Sequence, residues 1–139
     1  MEPIIPYLNF NGNAAEALSF YAGAFDGQVA FQQTFGDSPM GEQTPDDFKG
    51  KIMHATFQAG GLTLMVSDCM PGQEVKPGTN TSLSLNFTSV EAIEKTFSAL
   101  SAGATITMPL QDTFWGARFG MLTDKFGINW TFNHDYEKK

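Results

Sequence analysis

The chain has one cysteine and few basic residues, and each shortage excludes a class of protein. Its single cysteine, Cys69, cannot form an internal disulfide, which is typical of a protein from a reducing compartment. Only 8 Lys and Arg residues stand against 15 Asp and Glu residues, which gives a formal net charge of −7. Nucleic-acid binding depends on clustered Lys and Arg side chains, so we expect no nucleic-acid partner.

Long apolar runs are also missing. No stretch approaches the length that a bilayer-spanning helix needs, and the N-terminus lacks the basic start and apolar core of a signal peptide. We therefore expect a cytoplasmic protein with no membrane partner. What the sequence does contain is 139 residues, 42% of them hydrophobic, with 13 Phe. That is enough to build one packed domain, residues 1–139.

A pattern of one strand, one helix and three further strands occurs twice. The motif LNF at 8–10 and again at 85–87 opens each copy, and capping-box spacing predicts Asn13 and Thr88 as the two helix N-caps. Three strand-like runs follow each helix: 28–35, 51–59 and 62–67 in the first copy, and 105–109, 117–123 and 128–133 in the second. We predict an α+β fold of two βαβββ modules, at about 3–68 and 81–134.

Each module has a helix for only one face of its sheet. In the second helix Val90, Ile93, Phe97 and Leu100 lie at i, i+3, i+7 and i+10, which predicts that all four are buried. The other face of each sheet is left concave, as half a barrel. We expect two such halves to combine, within one chain or across a homodimer, around a ligand cavity. The polar loop 36–50 is either a flap over this cavity or a surface insertion.

Four stretches of the sequence carry a family resemblance: PYLNFNGNAAEALSFY (6–21), KIMHA (51–55), LMVSD (64–68) and MPLQDTFWGARFGMLTDKFG (108–127). With them, much of the sequence resembles the PhnB-like branch of the glyoxalase/bleomycin-resistance/dioxygenase superfamily, also called the vicinal oxygen chelate superfamily. The resemblance implies paired βαβββ modules and a homodimer. Some relatives are described as a demethylubiquinone methyltransferase, but this sequence lacks the Gly-rich strand-to-helix turn that holds a nucleotide-like cofactor.

The resemblance also identifies where a metal would bind. Glyoxalases and related dioxygenases hold a divalent ion with four side chains, from the first and last strands of each module. The corresponding positions here fall near Ile5 or Pro6, at about Met65, near Ser82 and at Thr131. None of these side chains is a good ligand for a divalent ion. We therefore expect no metal and no other cofactor.

His54, Asn9 and Asn86 are the polar candidates for a site. His54 lies in the middle of a strand, predicted on the same face as Ile52 and Thr56, and it is the candidate catalytic residue as a general base. The alternative is a strand histidine that is hydrogen-bonded within the sheet. Asn9 and Asn86 are polar positions of the two opening strands, where they either orient a ligand or are merely solvated.

Three further candidates for ligand binding are Trp115, Arg118 and Trp130. Trp115 offers a flat wall for a ring or a chain, and Arg118 can hold a carboxylate or phosphonate through two hydrogen bonds. Alternatively, Trp115 is a structural residue at a turn and Arg118 pairs with Asp112 or Asp124. Trp130 either reaches the cavity or packs beside it.

These observations leave several functions open. The first is a protein that binds a small molecule in a sheet-lined cavity without the usual divalent metal. The alternative is an enzyme, either a metal-dependent lyase or dioxygenase of the same superfamily or a metal-free enzyme that uses His54. A third is an interaction protein whose cavity is filled by its own side chains. Fold resemblance alone does not decide among them.

Overall fold

In a computed structural model that describes residues 1–137, the chain divides into two compact units, Met1–Lys76 and Pro77–Lys139. Each unit is a four-stranded sheet with one α-helix, so the predicted α+β fold of two βαβββ modules is confirmed. Among the described residues, none of the helices has the length and apolar character to cross a membrane.

The N-terminal unit has strand order β1-β4-β3-β2, with β1 parallel to β4 and the other neighbours antiparallel. Two short 3-10 helices, Gly41–Gln43 and Asp46–Phe48, lie in the loop between β2 and β3. The main elements are β1 (Tyr7–Phe10), α1 (Ala14–Phe25), β2 (Gln28–Thr34), β3 (Ile52–Ala59) and β4 (Leu62–Asp68).

The C-terminal unit repeats this topology, with strand order β5-β8-β7-β6 and β5 parallel to β8. Tyr7 pairs with Met65 in the first sheet as Ser84 pairs with Thr131 in the second, so Met65 and Thr131 occupy matching positions in the two units. The elements are β5 (Leu83–Asn86), α2 (Val90–Leu100), β6 (Thr105–Asp112), β7 (Ala117–Thr123) and β8 (Asn129–Asp135).

The core of the N-terminal unit lies between α1 and one face of its sheet. Alternate residues along β3 and β4, among them Phe57 and Leu64, are fully buried there, and Tyr21 of α1 packs with its ring centroid 6.5 Å from that of Phe57. Gly27 permits the close approach of helix and sheet, because a Cβ at that position would lie 2.7 Å from the Gln58 carbonyl oxygen. The helix therefore protects one face of the sheet only.

The predicted N-cap position of the first helix, Asn13, is confirmed although its side chain makes no cap, whereas the predicted cap of the second helix is wrong by one residue. Asn13 makes no capping hydrogen bond, because Asp68 at the end of β4 reaches the helix instead and its Oδ1 accepts from Ala14 N at 2.9 Å. The second helix is capped by Ser89, one residue after the predicted Thr88, with Ser89 Oγ accepting from Ala92 N at 3.1 Å.

Two further expectations about the C-terminal unit need correction. Val90 is half-buried because it is the first residue of α2, whereas Thr96 joins Ile93, Phe97 and Leu100 on the buried face. The strand β6 continues beyond the predicted end at 109 as far as Asp112. It does so because β6 is an edge strand with an irregular register around residue 109, where a proline is tolerated.

Asp68 gives the first testable prediction. Its carboxylate is only 3% exposed and accepts two backbone hydrogen bonds, from Ala14 N and from Ile52 N, each at 2.9 Å. In Asp68→Asn one of these N–H groups faces an amide that cannot accept, so we expect the free energy of unfolding to fall by about 2 kcal/mol. Urea unfolding measures the change. The same substitution at exposed Asp46 should cost less than about 0.5 kcal/mol, and equal effects at both positions would contradict this account.

Candidate functional site

The face of the N-terminal sheet opposite α1 carries polar and aromatic side chains. The register determines which residues share it: Tyr7 pairs with Met65, Met65 with Thr56, and Thr56 with Phe31. Directly paired residues in a sheet project to the same side, and His54 lies two residues from Thr56 on the same strand. We call this surface the open face.

Tyr7, His54 and Phe31 form a cluster on the open face. The Tyr7 hydroxyl and His54 Nδ1 are hydrogen-bonded at 3.2 Å, and their ring centroids lie 5.7 Å apart. The Phe31 ring lies 6.2 Å from the His54 ring on the other side. Tyr7 is 47% exposed and Phe31 52% exposed, so the rings present a surface on which a planar or apolar molecule can lie.

Phe31 was not a candidate from the sequence. Strand β2 has a register shift between Val29 and Phe31, which breaks the period-two pattern along this strand. A related shift lies opposite His54: Gln33 pairs with His54, whereas Thr34 pairs with Ile52. This extra residue on β3 explains why Ile52 is buried while His54 is half-exposed, so the predicted common face for His54 and Ile52 is wrong.

Asn9 also lies on the open face, beside an open depression of about 640 Å³. Ser67 Oγ donates a hydrogen bond to Asn9 Oδ1 at 3.1 Å, which fixes the amide at the edge of the depression. Val75, another residue that lines the depression, is fixed by the Asn11 side chain, which donates to Val75 O at 2.9 Å and accepts from Val75 N at 2.7 Å. The lining residues are Asn9, Ser67, Asp68, Cys69, Met70, Gln73, Glu74 and Val75.

In the C-terminal sheet the corresponding face is chemically different. Asn86 occupies the position that Asn9 has in the first sheet, and its Oδ1 accepts from Asn133 Nδ2 at 3.2 Å. Phe119, two residues before Met121 on β7, occupies the position of His54, so this sheet has no equivalent of the Tyr7–His54 pair. Asn86 is exposed and polar but has no titratable side chain beside it on its strand.

The positions that hold the superfamily's metal do not suit a divalent ion in this chain. Met65 offers a thioether, which is a poor ligand for zinc, magnesium or manganese. The hydroxyls of Thr131 and Ser82 lie 2.6 Å apart and are hydrogen-bonded to each other. Within residues 1–137, no group of three or more His, Cys, Asp and Glu side chains has a metal-binding arrangement. The donors present therefore do not fit the superfamily's metal.

Trp130 has no exposed surface and lies on the same face of β8 as Phe132, whose ring packs edge-to-face against Phe97 of α2. Its indole Nε1 donates to Asp124 Oδ2 at 2.8 Å. Asp124 Oδ1 in turn accepts from the backbone N of Phe126 and of Ile128, at 2.8 and 3.1 Å, across the β7–β8 turn. The sequence left open whether Trp130 reaches a cavity or packs beside it, and its complete burial favours packing.

Arg118 is engaged in two ion pairs within its own unit. Its guanidinium contacts Glu94 of α2 at 3.2 Å and Asp112 of β6 at 3.1 Å, and Asp112 also accepts a short hydrogen bond from the Tyr136 hydroxyl. The Tyr136 hydrogen bond and Arg118 lower the pKa of Asp112 below its ordinary value of 3.8. Burial opposes the charge of Arg118, but Asp112 and Glu94 outweigh it and raise the Arg118 pKa. Arg118 is thus already paired with carboxylates, one of them from the predicted alternative Asp112.

Trp115 precedes β7 and is 51% exposed. Its ring packs edge-to-face against Phe114 and Phe119, with centroids 5.0 and 5.9 Å away. Trp115 and Arg118 come from the same short stretch, yet Arg118 points to the helix side of the sheet, where it meets Glu94. The sequence therefore did not show that Trp115 has an exposed ring whereas Arg118 is engaged in ion pairs.

A family model, related sequences and solved structures were compared with this chain, and the matches agree on one family. Residues 2–132 match the family model described as 3-demethylubiquinone-9 3-methyltransferase. Protein YjdN of Escherichia coli is 34% identical, over 94% of each chain. The crystal structure of protein PA1353 from Pseudomonas aeruginosa is 43% identical, with a TM-score of 0.85 over 97% of this chain and 98% of that one.

Two more distant structures extend the comparison. A PhnB protein from Bacillus cereus, described as a 3-demethylubiquinone-9 3-methyltransferase, is 27% identical with a TM-score of 0.79, over 96% of this chain and 99% of its own. A glyoxalase/bleomycin resistance protein/dioxygenase from Nocardioides is 19% identical with a TM-score of 0.59, over 100% of this chain and 87% of that one. At that identity the likeness shows the fold alone.

The Asp112 cluster predicts a pH dependence. Because folding lowers the pKa of Asp112, its contribution to stability is complete above 3.8 and is lost as the pH falls through the folded value. We therefore expect Asp112→Asn to be less stable than the unmodified protein at neutral pH, and the difference between the two to shrink below pH 3.8. Urea unfolding of both proteins across this range measures it. A difference that stays constant with pH would contradict the assignment.

Proposed function

Because the chain belongs to the 3-demethylubiquinone-9 3-methyltransferase family, the PhnB-like branch of the glyoxalase/bleomycin-resistance/dioxygenase superfamily, we propose that it binds a small molecule on the open face of its N-terminal sheet. The observation that carries the proposal is the cluster of Tyr7, His54 and Phe31 on that face. Methyl transfer is not part of it, because the sequence has no Gly-rich turn for a nucleotide-like cofactor.

The cluster supplies two kinds of contact to a ligand. Tyr7 and Phe31 offer half-exposed ring surface, and His54 lies between them with its Nδ1 bonded to the Tyr7 hydroxyl. This bond leaves His54 Nε2 as the ring nitrogen available for a ligand. Asn9 adds a fixed amide on the same face, next to the depression. A molecule with an aromatic or apolar part and at least one hydrogen-bonding group matches these contacts.

The proposed binding does not use the superfamily's divalent metal. Support comes from the side chains at the metal positions, since Met65 is a thioether and the Thr131 hydroxyl is bonded to Ser82. The metal-dependent lyase or dioxygenase is accordingly the less supported alternative. Sequestration of a ligand without chemistry needs only the contacts described above.

A metal-free enzyme is the second candidate, and the Tyr7–His54 hydrogen bond favours it. The hydrogen bond orients the imidazole, and in the tautomer in which His54 Nδ1–H donates to the Tyr7 oxygen, Nε2 carries the free lone pair and can take a proton from a bound molecule. Such an enzyme would convert its ligand and lose turnover in His54→Gln. A binding protein would return its ligand unchanged.

The binding proposal is tested by a thermal-shift screen with small ring-containing compounds, followed by calorimetry of the best compound. We expect Tyr7→Phe and His54→Gln each to weaken binding by about 3- to 10-fold, which corresponds to one lost hydrogen bond of about 1 kcal/mol. The chain offers a matched control in the other unit, His134→Gln. Binding that is weakened as much by the control, or by none of these substitutions, would contradict the proposed location.

The homodimer expected from the family resemblance stays a prediction, and we propose it as the working assembly. In each unit one sheet face is not covered by that unit's helix, and large apolar side chains such as Phe31 and Ile106 are exposed. A second copy of the chain can cover such surface. Sedimentation velocity at micromolar concentration should give the mass of two chains; a compact monomer would contradict the assembly.

A further inference from the structure

The C-terminal unit has a separate pocket that the proposed binding face does not use. It has a volume of about 270 Å³ and lies where β7 begins and β8 ends. Its lining consists of Trp115, Gly116, Asp135, Tyr136 and Glu137. Two aromatic residues and two acidic residues thus line one small concavity.

The backbone fixes the relative positions of the two aromatic residues. Ala117 pairs with Asp135 in the β7–β8 ladder, and Tyr136 N donates to Gly116 O at 3.0 Å. Gly116 has a φ of +86°, a conformation that favours glycine, so a side chain at this position would strain the turn. The turn therefore sets Trp115 beside the strand end that carries Tyr136.

The rings remain accessible although they are held in place. Trp115 is braced edge-to-face by Phe114 and Phe119, yet about half of its surface is exposed, as is about half of that of Tyr136. Exposed aromatic surface at a pocket is costly to leave in water. A ligand that covers the ring faces would remove that cost.

Both charged residues that line the pocket are acidic. Asp135 and Glu137 both line it, whereas the nearby cation Arg118 is neutralised by its contacts with Glu94 and Asp112 at 3.2 and 3.1 Å. The pairing of Arg118 reverses the ligand chemistry expected from the sequence, which was an anion held by Arg118 beside Trp115. Aromatic faces and carboxylates together favour a cation, because the ring quadrupole and the negative charges act in the same direction.

We propose that this pocket binds a small organic cation. Its alkylammonium group would lie against the rings of Trp115 and Tyr136, and Asp135 and Glu137 would balance its charge. The two sites are independent, since no residue of the Tyr7–His54–Phe31 cluster lines this pocket. Failure of one proposal therefore leaves the other standing.

The test uses choline as the probe and 3,3-dimethylbutan-1-ol as its uncharged analogue of the same shape. The protein is labelled with 5-fluorotryptophan, so that its two tryptophans, Trp115 and Trp130, give separate fluorine NMR resonances. Trp115→Leu assigns them. We expect choline to shift the Trp115 resonance saturably and to bind about tenfold more tightly than the alcohol, while the buried Trp130 resonance stays in place and reports an intact fold.

Isosteric variants test the role of charge. Asp135→Asn combined with Glu137→Gln should weaken choline binding by about tenfold, because both carboxylates are removed without a change of shape. Glu91→Gln in the first turn of α2 removes one charge outside the pocket and should leave binding unchanged.

Three results would overturn the proposal. The first is a Trp115 resonance that responds equally to choline and to the alcohol. The second is choline binding that survives loss of both carboxylates. The third is a Trp115 resonance that shifts with protein concentration but not with choline, which would assign this surface to self-association.

Discussion

Parallel pairing of β1 with β4 places Tyr7 opposite Met65, and antiparallel pairing of β4 with β3 places Met65 opposite Thr56. This register is the constraint on which the candidate site depends, because a slip of one residue would send every side chain of a strand to the other face. Leu64 and Val66, on the opposite side, are fully buried under α1. The burial of these apolar residues therefore fixes the open face, although the residues of that face contribute little to the core.

Two buried carboxylates support the arrangement, one in each unit. Asp68 joins the start of α1 to the start of β3 through two backbone hydrogen bonds, and Asp124 closes the β7–β8 turn while it holds the Trp130 indole. Both are nearly inaccessible to solvent. A buried charge is costly unless it is fully hydrogen-bonded, and both carboxylates have several donors. These hydrogen bonds show that both acidic residues support the fold, although Asp68 also lines the depression beside Asn9.

The sequence was sufficient for the repeated βαβββ modules, since period-two strands, helix stripes and glycine turns are local signals. It was insufficient where long-range contacts decide. Arg118 is paired by Glu94, which lies 24 positions away and comes from α2, and no local pattern indicates this contact. A register shift between Val29 and Phe31 determines which side chains of β2 lie on the open face, so the sequence pattern did not identify Phe31. Asn9 and His54 became candidates because a polar residue in the middle of an apolar strand is itself a signal, and their roles stay predictions. Trp130 could not be assigned, because a buried apolar residue gives the same pattern in a core as in a cavity wall.

The central claim is that a small molecule binds on the open face of the N-terminal sheet, against Tyr7, Phe31 and His54, without a metal ion. A crystal structure of the protein with a compound that raises its melting temperature tests this claim most directly. The account predicts electron density for the compound over the Tyr7–His54 pair, with no coordinated ion beside Met65 or Thr131. Density elsewhere, or an ion coordinated at those strand positions, would contradict it.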